Sequence, residues 1–268
     1  LIGILASLLL PAIQQARESA RRTDCTSNMR QIALAMHQYH MTYKSLPQAS
    51  FYDTSFYIPF TSILPYLQEV AVRELYNSHL RYDDPANQRV IEQHVSIYLC
   101  PTMSLPRTVP NPNPACDEDG APGSYAVCVG SNNPWVGPHN GAFRFARFGP
   151  VSLRKITDGT SRTILIGELD YGLMNYQWGA CNPGVMRFGA TRWGVGYPGV
   201  SVATTSGVFN ADRLITGFAE FATFRSDHVG GANFAFVDGA VRFVDEAVDP
   251  RLLDAIATRA EGEFANEL

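Results

Sequence analysis

An α+β chain, with one long N-terminal helix followed by a head built on a mainly antiparallel β-sheet, is what three observations predict. An unbroken apolar run, residues 1–10, leads directly into a stretch whose apolar residues recur at steps of three and four. The second half instead sets short apolar runs between Gly, Asn, Asp and Pro, and closes on two alternating runs joined by Asp238-Gly239. Composition agrees, since 46% apolar residues suffice for a sizeable core, while 17% charge, 22 Gly and 17 Pro favour turns and strands over a helical bundle.

The first element is carried by Leu1, Ile2, Ile4, Leu5, Leu8 and Leu9, up to Pro11, which cannot donate to the carbonyl of Ser7 and marks a kink. Crossing a bilayer takes about 20 apolar residues, so ten suit the last half of a span. The expectation is a chain that begins inside a membrane-type helix and has that segment covered by something outside itself. Ile13, Ala16, Ala20, Met29, Ile32, Met36, Tyr39 and Tyr43 continue the helical spacing, and Leu46-Pro47 ends it. This gives a stalk over residues 1–45 and a head over residues 46–268.

Two shorter helices follow, over residues 62–79 and 84–98, the second opened by Asp84 as N-cap and Pro85 at the first helical position. Residues 103–141 are dense in Pro, Asn and Gly and read as a long surface excursion, with a Cys116–Cys128 bridge as its clip. Strands are expected over 141–148, 151–156 and 163–168, the last after the turn Thr157-Asp158-Gly159-Thr160. Residues 179–207, rich in Gly and aromatics, read as variable surface. The final hairpin pairs 233–237 with 240–244 through a type I′ turn at Asp238-Gly239.

Charge is uneven. The first 44 residues hold Arg17, Arg21, Arg22, Arg30 and Lys44 against Glu18 and Asp24, a net +3, and the rest carries 16 basic and 23 acidic residues, a net −7. A basic stalk on an acidic head, with no basic stripe on the head, argues against nucleic acid as partner and for contact between copies. The five cysteines, Cys25, Cys100, Cys116, Cys128 and Cys181, form no CxxC. They read either as disulfide candidates in an oxidising compartment or, for several of them, as small buried hydrophobes. An odd count leaves at least one thiol unpaired.

Catalytic signatures are missing: there is no G-x-S-x-G, no H-E-x-x-H and no phosphate-binding P-loop. Ser226, Asp227 and His228 adjoin in sequence, which is not how a triad converges, so no enzyme, cofactor or metal is expected. His228 reads as a structural side chain bonded to backbone near the hairpin base, with an ion site shared with Asp227 or Asp238 as the alternative. His37 and His40 read as polar anchors of the helix to the head. Tyr39, Tyr43, Phe51, Tyr52, Phe56 and Tyr57 read as helix-to-head core.

Residues 2–22 resemble the mature N-terminus of type IV pilin-like proteins. Cys25-Thr26-Ser27-Asn28-Met29-Arg30-Gln31-Ile32, Leu64-Pro65-Tyr66-Leu67, Cys100-Pro101, Ile156-Thr157-Asp158-Gly159-Thr160-Ser161, Gly167-Glu168, and His228 followed after nine residues by Asp238-Gly239 are similar to more than a generic pilin. Together they resemble the prepilin-type H-X9-DG proteins, the domain-of-unknown-function 1559 family, abundant in planctomycetes. Thr102-Met103 replace the Ser-Asp that usually follows Cys-Pro in that family.

The resemblance implies a pilin-like fold and a prepilin processed and methylated at its N-terminus. It implies anchoring in the inner membrane as precursor, then packing with copies of itself into a periplasmic or extracellular filament with pilus or secretion machinery. The structural motif would comprise His228, Asp238, Gly239, Asp158 and Gly159, and a Cys25–Cys100 bridge would fasten head to stalk. Arg17, Arg21 and Arg22 beside the apolar run favour the cytoplasmic side by the positive-inside rule, opposite to the implied topology. An alternative function is a membrane-anchored binding module that holds glycans or proteins through the loops at 103–141 and 179–207.

Overall fold

The stalk helix α1 runs Ile2–Tyr43, 42 residues, with Pro11 inside it. At 1.5 Å per residue it is about 63 Å long. The computed structural model describes residues 2–49, 58–67, 70–103, 120–170, 172–175 and 191–263. Among them no helix is long and apolar enough to cross a membrane. The face of α1 carrying Cys25, Met29, Ile32, Ala33 and Met36 is fully buried against the head. Nearer the N-terminus, residues 9–20 are exposed apart from the half-buried Glu18, with Leu9 58% and Leu10 65% exposed.

Behind α1 lie three short helices, α2 (Pro59–Ile63), α3 (Val70–Leu75) and α4 (Pro85–Ile91). Five strands follow: β1 (Tyr125–Cys128), β2 (Ile164–Glu168), β3 (Val202–Ala203), β4 (Gly231–Phe236) and β5 (Val241–Asp245). Helix α5 (Pro250–Ala257) ends the described chain, opened by Asp249, whose side chain accepts from Arg251 N, and by Pro250. The sheet order is β3-β1-β2-β4-β5, antiparallel except for the parallel β1–β3 pair.

Both faces of this sheet are covered. Tyr125, Val127, Ile166, Ala235 and Val237 join the buried face of α1. Ala126, Cys128, Phe234 and Phe236 join Leu253, Ile256 and Ala257 of α5. A bulge between Ile164 and Ile166 changes parity along β2, so Ile164 faces α5 while Leu165 and Ile166 face α1.

Several sequence expectations need correction. The helix expected over 62–79 is α2, a 3₁₀ turn at Leu64–Tyr66 and α3, because Pro59 starts the helix a turn early and Pro65 interrupts it. Asp84 does cap α4, accepting from Ala86 N, but α4 stops at Ile91, whose carbonyl is taken by Ala121 N at 2.7 Å. Residues 141–148 and 151–156 are not strands. They carry 3₁₀ turns at Ala146–Phe148 and Leu153–Lys155, and their backbone bonds go partly to the end of β1, as in Phe143 N to Cys128 O, and partly to the chain leaving α1, as in Leu46 N to Val151 O and Ala49 N to Arg144 O.

Strand β1, in the interior of the sheet, lies inside the stretch read as a surface excursion, and β3 lies inside 179–207. The Cys116–Cys128 clip fails as well. Cys128 is a buried free thiol on β1, its Sγ directed at Ala257 O (3.8 Å), and burial pushes its pKa up to about 12. Cys116, Cys181, residues 51–57 and most of the two proposed binding loops lie outside the described residues.

The β4–β5 hairpin forms as expected but through a different turn. Gly239 has φ +87° while Asp238 has no positive φ, Gly239 N donates to Phe236 O, and Phe236 N to Ala240 O. This is a three-residue loop, a type I turn closed by a left-handed glycine, with Asp238 Oδ1 accepting from Ala240 N. Gly231 at the other end of β4 has φ +156°, and a Cβ there would overlap the carbonyl of Val244 across the ladder. Gly231→Ala should therefore lower the urea midpoint more than Gly239→Ala, whose Cβ would meet nothing and whose cost is about 1 kcal/mol for the left-handed backbone.

Candidate functional site

Glu18 and Cys25, seven residues apart, share the head-facing side of α1 with Met29, Ile32 and Met36. Opposite them the sheet presents Glu168 at the end of β2 and Asn233 on β4. Glu168 is fully buried, and its two oxygens accept from Asn233 N (2.7 Å) and Asn233 Nδ2 (2.9 Å). Two residues on, Asp170 Oδ2 accepts from Ser226 Oγ and Asp227 N, both at 3.1 Å, and Ser226 Oγ accepts from His228 N. The loop 226–228 is thus assembled on Asp170 and aims the His228 ring at the junction between stalk and head.

That ring stands between two carboxylates. Nδ1 donates to Glu18 Oε1 at 2.5 Å, and Nε2 lies 3.3 Å from Glu168 Oε1 and 3.4 Å from Cys100 Sγ. Cys100 is joined to Cys25 by a disulfide with Cα atoms 5.0 Å apart. Glu18 also pairs with Arg21 at 2.7 Å, and Arg22 caps the ring of Phe243 on β5, 3.4 Å from its centroid. Asn28 Nδ2 reaches Leu99 O at 3.0 Å, a further link from stalk to head. Outside the junction a groove of about 690 Å³ is bordered by Gln15, Glu18, Arg22, Thr102, Asp227 and Val229.

Electrostatics follow from this enclosure. Burial by itself would depress the His228 pKa, but hydrogen bonding and charge from Glu168, then Glu18, raise it to about 9. Burial also tends to raise Glu18, yet its bonds to His228 and Arg21 hold it below its ordinary value of 4.5. Burial, and then the neighbouring Glu168, push the pKa of Asp170 well above its ordinary value. One of its oxygens, Oδ1, is buried without a hydrogen-bond partner.

A histidine raised on folding stabilises fully below its unfolded pKa, 6.5, and loses that contribution as pH rises through about 9. Urea midpoints should therefore fall between pH 6.5 and 9.5, and fall less in Glu18→Gln, where one of the raising partners is neutral. A parallel decline in the two proteins would exclude His228 as the titrating group.

The sequence-derived site residues are dispersed rather than gathered. Asp158 accepts from Glu261 N (2.8 Å) and Gly262 N (3.0 Å), and so ties the chain after α5 to the turn before β2. Gly159, with φ +109°, shapes that turn. His37 Nε2 meets Val237 O at 2.6 Å and His40 Nε2 accepts from Leu153 N at 3.3 Å, so both do anchor the helix to head backbone. Burial and the nearby charges of His37 and Lys44 depress His40, as an accepting ring requires. His228 does not bond backbone through its ring, and it shares no site with Asp238, which bonds its own turn.

Residues 14–251 match the model of a family described as "Protein of unknown function (DUF1559)". The chain belongs to the DUF1559 family. No curated protein and no solved structure matches it.

Membership gives the H-X9-DG spacing of this DUF1559 chain a physical meaning. His228 and Asp238-Gly239 lie at opposite ends of β4, so the nine intervening residues are the strand and its margins. The strand bonds α1 at both ends, His228 to Glu18 and Val237 to His37. From Glu18 to His37 the helix rises about 28 Å at 1.5 Å per residue. From His228 the chain turns at Val229-Gly230, where Gly230 has φ +82°, and then extends through β4 to Val237. The signature sets the two flanks of β4 against α1, and His228 and Asp238 are not a pair of ligands.

Glu18, Glu168 and Asp170 were not singled out as site residues from the sequence. The available signal was Leu165-Ile166-Gly167-Glu168-Leu169-Asp170, two carboxyl groups inside an apolar run with turn chemistry before it. Buried acids in such a run need partners, and His228 is the basic group that the fold delivers.

Proposed function

We propose that this DUF1559 protein is a structural subunit of a type IV pilus-like or type II secretion pseudopilus-like filament on the cell envelope. One observation carries the reading: one face of α1 is buried against the head from Cys25 to Met36, whereas residues 9–20, including Leu9, Leu10 and Ile13, are bare on every side except at Glu18. A helix so divided offers its bare half to other copies, after release from the inner membrane. Exchanging lipid for identical apolar helices changes little hydrophobic free energy, so head contacts and the charge difference between stalk and head direct the packing.

The same reading makes the protein a part and not a catalyst. His228 is held between two carboxylates with its side chain 1% exposed, which suits a fastening and not a turnover site. Electron microscopy of sheared cell-surface material and of purified protein tests it. Helical fibres that contain this chain are the expected result. Dispersed, detergent-dependent monomers at every concentration would overturn assembly and favour an anchored binding module.

A further inference from the structure

We propose that the junction between stalk and head is also a redox-gated metal site: once the Cys25–Cys100 disulfide is reduced, both thiolates, with His228 and Glu168, bind one thiophilic divalent cation of the zinc class. The four donor atoms, two Sγ, an imidazole nitrogen and a carboxylate oxygen, lie within 4.8 Å of one another and all four residues are buried. Two sulfurs, one nitrogen and one oxygen form a tetrahedral donor set that selects zinc over hard cations such as calcium or magnesium.

Two edges of the tetrahedron are already close to size. Zinc bonds of about 2.3 Å to sulfur and about 2.1 Å to nitrogen and oxygen give a sulfur–nitrogen edge of about 3.6 Å and a nitrogen–oxygen edge of about 3.4 Å. The corresponding distances are 3.4 Å from Cys100 Sγ to His228 Nε2 and 3.3 Å from Nε2 to Glu168 Oε1. The edge that must change is the sulfur pair, joined in the disulfide and needing about 3.8 Å in a tetrahedral site. Breaking the disulfide removes the one constraint that holds them together.

The surroundings support ligation. Glu18 accepts from Nδ1, which turns Nε2 toward the sulfurs, the carboxylate–histidine–metal arrangement that fixes a ligating imidazole. Asn233 holds the Glu168 carboxylate from two sides. The groove bordered by Glu18 and Thr102 brings solvent to Glu18, the partner of His228 Nδ1. In the oxidised protein an imidazolium supplies the positive charge between the two carboxylates, and in the reduced protein the metal takes that place.

The chemistry balances. A dithiol or phosphine reductant gives two electrons to the S–S bond and two protons complete the thiols. The entering cation then displaces both thiol protons and the Nε2 proton, three in all.

The test uses the full chain carrying Cys116→Ser, Cys128→Ala and Cys181→Ser, so that only the two site thiols remain. After phosphine reduction without oxygen, cobalt(II) is titrated and then displaced by zinc. The expected result is one equivalent per chain, with the sulfur-to-cobalt charge-transfer band and the intense visible bands of a tetrahedral site. The oxidised protein and Cys25→Ser should show neither, and Glu18→Gln should weaken binding 10–100-fold. A reduced chain that keeps its helical circular dichroism yet shows no such bands overturns the proposal, as do bands that persist in Cys25→Ser. If reduction unfolds the chain, recovery of helical signal at one equivalent of zinc supports the site, and a chain left unfolded by zinc refutes it.

Discussion

Replacing His228 with Ala is expected to lower the unfolding free energy by on the order of 3–5 kcal/mol, read from urea denaturation near neutral pH. The reason is the asymmetry of buried ion pairs. His228 is the cationic partner of Glu168, which is fully buried, and it also binds Glu18. Without the ring, Asn233 alone bonds the Glu168 carboxylate, and a cavity replaces the imidazole. Adding Glu168→Gln to His228→Ala should recover part of the loss, because a neutral amide removes the uncompensated charge while keeping an acceptor for Asn233 N. A His228→Ala loss under 1 kcal/mol, or no recovery on adding Glu168→Gln, would show that the ring contributes only volume.

The second large effect belongs to the disulfide. Cys25 and Cys100 are 75 residues apart in sequence, and closing a loop of that size is worth about 4 kcal/mol in the chain-entropy model. The Cys25→Ser/Cys100→Ser double variant should therefore unfold at markedly lower guanidinium concentration in the absence of added metal. Because Cys100 Sγ touches His228 Nε2, the loss should not add simply to that of His228→Ala. The bridge also joins α1 to the head at the first of its fully buried positions, so its removal should raise hydrogen exchange in residues 9–25 ahead of the rest of α1. Uniform exchange along the helix would contradict that placement.

Much of the fold was legible because local chemistry agreed with it. The three-and-four spacing from Met29 to Met36 became the buried face of α1, Asp84-Pro85 opened a helix, and alternating runs around Asp238-Gly239 became β4 and β5. Asp249-Pro250 carries the same start signal as Asp84-Pro85 and opens α5, an element absent from the sequence expectations. Strand β1 escaped for a different reason. Tyr125-Ala126-Val127-Cys128 is buried on both faces and so shows no alternation, and it sits beside a run of Pro and Asn that reads as loop. Residues 141–156 failed in the opposite sense, since their strand-like composition is divided between the end of β1, through Phe143 N to Cys128 O, and the chain leaving α1, and forms no strand of its own.

By itself the sequence determined the long amphipathic helix, the terminal hairpin, the family and, through the motifs that carry the resemblance, the Cys25–Cys100 bridge. The helix and the hairpin depend on spacing along the chain, which local sterics and periodicity fix, and the family and the bridge on the motifs of the resemblance alone. Only the tertiary structure decided that Glu18, Glu168, Asp170 and His228 form one enclosed polar cluster, because they are separated by up to 210 residues and no local rule brings them together. It also decided what the nine-residue spacing does. His228 and Val237 flank β4 and meet α1 at Glu18 and His37, contacts across 210 and 200 residues that are visible only once strand and helix lie side by side.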